Sequence, residues 1–206
     1  MIQAVRIGLS LLLVLTPLVH RLGAVSPAQA REGKQKSEST SARQRPPPGL
    51  TPVHYGIDDL PQPVREMREL ILSAAQSGEI EELRTAVEVN ELKPEIAGTP
   101  VADPIAYWKR ISGDGEGREI LAALAEVLDS GYVILPIGPD LENNKVYVWP
   151  YFAEVPLDRL SPGQQVELLR LITPAALREM QRTGRYSSWR LAIGADGTWH
   201  SFRKAE

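Results

Sequence analysis

At Asp103-Pro104, Ser161-Pro162 and Thr173-Pro174 a helix-capping side chain stands directly before proline at the head of a stretch with helical character. An Asp, Ser or Thr oxygen satisfies a free N–H of a first helical turn. Proline suits the next position because the N–H it lacks would be unpaired there anyway. Each pair therefore starts a helix and ends whatever precedes it. The first helix is expected to close at Ile111. The second carries the capping box of Ser161 with Gln164 and is read with Val166, Leu169 and Ile172 facing inward. The third is expected to reach about Arg182, with Gly184 past its end.

Other elements fit around these points. Val64, Met67, Leu70, Ile71, Ala74 and Ala75 follow helical spacing up to Ser77-Gly78. Glu79, Glu81 and Glu82 then load the first turn of a second helix, where the dipole favours anions, with Ile80, Leu83 and Val87 as its apolar face. The text of residues 74–83 looks like the helix pair of an ankyrin-type repeat. It occurs once, and such repeats need about three copies to share a core, which excludes a solenoid. A further apolar helix carries Ile120, Leu121, Leu124, Val127 and Leu128 and stops at Ser130-Gly131. Residues 132–137 and 145–151 have strand character and are joined by turn-forming residues. Residues 189–193 and 198–203 flank the hairpin turn Ala195-Asp196-Gly197. This order predicts an α+β fold in which a helical hairpin and further helices pack on a small antiparallel sheet of about four strands.

The N-terminus reads differently. Residues 1–30 have the order of a cleavable Sec-type signal peptide: Arg6, a leucine-rich run to Val19, and the small residues around Ala28-Gln29-Ala30, with no acidic residue before Glu32. Cleavage is expected after Ala30, which predicts a periplasmic or secreted protein with no membrane span after cleavage. The long stretch between Val19 and Ala30 leaves an uncleaved anchor as the alternative. Residues 31–50 form a basic, proline-ending linker whose composition is that of a disordered segment, and residues 51–206 a single globular domain. With no cysteine in the chain, a lipid anchor on cysteine is excluded, and the domain is long enough to need no disulfide.

Charge narrows the partners. Residues 31–206 hold 21 basic and 26 acidic groups; the linker is +3 and the domain −8. A domain of that sign repels phosphate backbones, so nucleic acid is not expected. Several phrases, Asp103-Pro104-Ile105-Ala106-Tyr107-Trp108-Lys109, the run from Ile111 to Leu121, Tyr147-Val148-Trp149-Pro150-Tyr151-Phe152-Ala153-Glu154 and Asp196-Gly197-Thr198-Trp199-His200, resemble those of a group of exported bacterial proteins with no assigned activity. The resemblance covers most of residues 62–206. It implies an envelope setting and no catalytic residue.

Candidate sites are few. The loop at residues 113–117 alternates glycine and acid. Asp114 and Glu116 would repel a phosphate, the calcium-loop pattern is incomplete, and a helix-capping turn is the simpler reading. Beyond residue 30 the histidines are His54 and His200, without metal-ligand spacing, and there is no Gly-x-Ser-x-Gly; no metal or cofactor is implied. In residues 145–151 alternation sets Val146 and Val148 on one face and Tyr147, Trp149 and Tyr151 on the other. That aromatic face is either a second core layer or a ligand platform bordered by Glu154 and Trp199, while Tyr107-Trp108 reads as a helix buttress. Three functions follow: a binding domain for an envelope polymer or envelope protein, a small hydrolase using Glu154 and His200, or a purely structural envelope protein. The oligomeric state is left open.

Overall fold

A computed structural model describes residues 51–138 and 144–205; the leader and linker expectations concern residues 1–50 and lie outside them. The described residues form an α+β domain. The chain runs through β1 (Val53–His54), α1 (Gln62–Ser77), a 3-10 turn at Ile80–Glu82, α2 (Leu83–Glu88), α3 (Pro104–Ile111) and α4 (Arg118–Asp129). There follow β2 (Tyr132–Pro136), β3 (Lys145–Trp149), α5 (Pro162–Leu171), α6 (Pro174–Thr183), β4 (Trp189–Gly194) and β5 (Trp199–Lys204).

The caps act as the sequence requires. Asp103 Oδ1 accepts from the backbone N–H groups of Ile105 and Ala106 at 3.0 and 3.2 Å. Ser161 and Gln164 exchange side-chain and backbone bonds at 3.3 and 2.9 Å. Thr173 Oγ1 accepts from the Ala176 N–H at 3.2 Å.

All five strands pair antiparallel with their neighbours in chain order, β1-β2-β3-β4-β5. The fifth strand, β1, is two residues long and too short to show alternation in the sequence. In this register Tyr147 lies opposite Ile193 and Trp149 opposite Leu191, so one face of the sheet carries Tyr132, Tyr147, Trp149, Leu191, Ile193 and Phe202. Packed on it are Val64, Met67 and Ile71 of α1 and Ile120, Leu124 and Leu128 of α4, while Trp108 of α3 stacks on Trp199 with ring centroids 5.6 Å apart. The other face carries Val133, Val146, Val148 and Ala192 against Leu168 of α5 and Leu177 and Met180 of α6. Helices cover both faces. That is why β3 is apolar on both sides, where a sheet with one solvated face would alternate with polar residues.

Of the three residues expected to face inward from α5, Ile172 packs against the core but Val166 and Leu169 do not. Val166 is 67% exposed and Leu169 40% exposed, whereas Leu168 is fully buried. A polar side chain sets this rotation. Glu167 Oε2 accepts from the hydroxyls of Tyr55 and Tyr151, both at 3.1 Å, and Oε1 from the Gly131 N–H at 3.3 Å. Three donors converging on one carboxylate outweigh the burial of a valine at the helix edge.

Candidate functional site

The aromatic side chains proposed as a ligand platform are core. Tyr147, Trp149, Tyr151 and Trp199 are all buried, so none offers a ring for stacking. Burial raises the pKa of the Tyr147 hydroxyl. Tyr151 does not share the face of Tyr147 and Trp149. Pro150 has no N–H to continue the ladder, the chain turns into a 3-10 segment at Tyr151–Ala153, and the Tyr151 ring joins the α5–α6 side. Trp108 is a buried buttress, as its sequence context suggests.

Glu154 and His200 are not brought together. Glu154 Oε1 accepts from Nε and Nη2 of Arg190 at 3.2 and 2.9 Å, at the start of β4. His200 lies over the far end of that strand, its Nε2 2.7 Å from where a Cβ on Gly194 would stand. Gly194 lies four steps along the strand from Arg190, about 13 Å at roughly 3.3 Å per residue. A general acid and base for one bond must both reach it within about 3 Å, so this pair is excluded as a catalytic dyad.

The glycine-acid loop is a helix cap. Asp114 Oδ1 accepts from the Ser112 hydroxyl and the N–H groups of Glu116 and Gly117, and Oδ2 accepts from the Arg118 N–H at 3.0 Å. These bonds, that from Ser112 foremost, hold the carboxyl below the usual aspartate range. Its oxygens are committed to the α4 N-terminus, and among the described residues no group of three metal-ligating side chains occurs.

A wide concavity lies elsewhere, along the outer edge of β5, and its main wall is residues 89–101. This segment has no helical or strand period; Pro94, Gly98 and Pro100 keep it extended and irregular. It is tied down as a strap. Asn90 Oδ1 accepts from the Trp199 N–H at 2.8 Å. The Glu95 N–H donates to the His200 carbonyl at 2.8 Å, and the Phe202 N–H donates to the Glu95 carbonyl at 2.9 Å. Glu95 also pairs with Arg203 at 3.1 Å, Ile96 is buried in the core, and Lys93 Nζ donates to the Ala102 carbonyl. An edge strand that would otherwise present free backbone groups is thereby covered.

Between the strap, the outer side of α1 and the β4–β5 turn runs an open groove of about 1300 Å³. The turn seats closely on α1. Gly197 has φ +89°, and a Cβ there would stand 2.9 Å from the Pro63 carbonyl oxygen, so glycine is required by both conformation and space. Asp196 accepts from the Thr198 N–H and hydroxyl, each at 3.0 Å; the backbone bond foremost keeps its carboxyl below the usual aspartate range, hence ionised. Glu66, Glu91 and Glu95 line the same groove. Leu70, Val89 and Leu92 give it an apolar component, at 38%, 59% and 78% exposure. Of the residues singled out in the sequence as a site, His200 and Trp199 line this groove, Trp199 as a buried wall. Leu70 shares the helical spacing of the apolar face of α1, yet in the fold it lines the groove.

No family model, no curated protein and no solved structure matches this chain.

Proposed function

We propose that the protein is a non-catalytic binding domain of an exported chain, and that the β5-edge groove is where it holds an extended ligand of the cell envelope, polymer or polypeptide. The leader-like composition of residues 1–30 supports export. The observation that carries the binding assignment is the exposure of Leu70, Val89 and Leu92 along one groove. Apolar side chains clustered in a polar-rimmed concavity are the mark of a surface that is covered in use. Among the described residues no helix is long and apolar enough to cross a membrane.

The test is selection of binders from a displayed random-peptide library on the full chain, with counter-selection on Leu92→Arg. Leu92 is so exposed that its replacement leaves stability nearly unchanged, within about 0.5 kcal/mol. Enriched sequences that require Leu92 support the assignment. Enriched sequences that bind parent and variant equally place the ligand elsewhere and contradict it.

A further inference from the structure

We infer that the groove takes a cationic polypeptide segment, with Lys or Arg set between apolar side chains; this rests on the groove being the binding seat. Its charge is unbalanced. Glu66, Glu91 and Asp196 line it without a salt-bridge partner among the described residues, Glu66 receiving only the Gln62 amide. Of the carboxylates named, Glu95 alone is paired, with Arg203. Facing them are Lys93, whose ammonium is turned to the Ala102 carbonyl, and the His200 imidazole. A ligand bringing positive charge relieves this repulsion, whereas a polyanion adds to it against a domain already at −8.

Size and lining distinguish a polypeptide from other cations. About 1300 Å³ exceeds the roughly 300–1,000 Å³ typical of a small-molecule site, and the walls come from three separate stretches of chain. A glycan would need aromatic rings to stack on, but Trp199, the groove's aromatic side chain, is buried. Leu70, Val89 and Leu92 interspersed with carboxylates instead match an extended peptide in which apolar and basic residues alternate.

Three fluorescein-labelled dodecapeptides test this, each Gly-Leu-X-Ala repeated three times with X as Lys, Gln or Glu, titrated by anisotropy into the full chain. The Lys probe is expected to bind about tenfold more tightly than the Gln probe, the Glu probe not measurably. Glu66→Gln with Glu91→Gln should weaken the Lys probe about tenfold, Leu92→Arg should abolish its binding, and raising salt from about 50 to about 300 mM should weaken it severalfold. If the Gln probe binds as tightly as the Lys probe and both are lost in Leu92→Arg, the cationic assignment falls and the groove stands. Lys-probe binding that survives both groove variants is diffuse surface attraction and overturns the inference. A dimer in sedimentation that Leu92→Arg dissolves would make a second copy the occupant and overturn it as well. Failure of all three probes, where library peptides still require Leu92, removes the cationic ligand only; failure of both removes the groove.

Discussion

Asn90 and Trp199, 109 residues apart, meet at 2.8 Å, the Asn90 side-chain oxygen accepting the Trp199 backbone N–H. Asn90 Nδ2 also donates to the Ala86 carbonyl at 2.9 Å, so one side chain closes α2 and starts the strap on the sheet edge. Asn90→Ala removes the acceptor and is expected to cost about 1–3 kcal/mol in urea unfolding. Amide exchange at Trp199 should accelerate with it. Asn90→Asp retains the acceptor and should lose less; unchanged Trp199 protection in Asn90→Ala would show that the strap is held by other contacts.

Trp149 decides between core and platform. Its ring lies 4.9 Å from that of Tyr132 beneath α1 and α4 and is almost wholly buried. Trp149→Ala is expected to destabilise the domain by about 3–5 kcal/mol through the cavity it leaves. A loss below about 0.5 kcal/mol in denaturant unfolding, the range of a surface substitution, would return it to the surface.

Two glycines of the α4 entry loop should behave differently. Gly117 has φ +87°, and a Cβ there would stand 2.3 Å from Ile80 Cδ1 and 2.9 Å from Ile80 Cβ. Gly115 has φ +70° with nothing within 4 Å. Gly117→Ala therefore combines backbone strain with overpacking, roughly 2–4 kcal/mol, and Gly115→Ala carries the backbone component alone, about 1–2 kcal/mol. Equal midpoint shifts for the two variants would mean that Ile80 moves aside without cost.

Acid should weaken the fold through two aspartates. Asp114, bonded to Ser112 and the α4 N-terminus, and Asp196, bonded to Thr198, both have pKa values below that of an unfolded aspartate, about 3.9. A depressed folded pKa gives stability that is present above the unfolded value and lost as pH falls through the folded one. The urea midpoint should thus decline on acidification below about pH 5, and Asp114→Asn with Asp196→Asn should decline less steeply than the parent. Parallel curves for the two proteins would rule out these carboxylates as the source.

The parts of this fold that could be read from sequence are those decided within a few residues. The Asp103, Ser161 and Thr173 caps and the alternation of Val146, Tyr147, Val148 and Trp149 needed no knowledge of distant partners. What could not be read depends on contacts across the chain. Tyr151 changes sides because Pro150 ends the ladder, and α5 turns Val166 outward because Glu167 finds Tyr55, Tyr151 and Gly131. Glu154 is claimed by Arg190, 36 residues on. The groove was hidden for the same reason: residues 89–101 have no period to read, and Leu70 looks like core until the fold places it along the open groove.

The central claim is that the strap, the outer side of α1 and the β4–β5 turn form the binding face. Amide chemical-shift mapping of the ¹⁵N-labelled full chain, titrated with the Lys dodecapeptide and separately with soluble muropeptides, tests it most directly. The account predicts saturable shifts at Leu70, Val89, Asn90, Leu92, Asp196 and Thr198, with α5 and α6 unaffected. Shifts confined to the exposed side of α5 around Val166 and Leu169, or none with either probe, would contradict it.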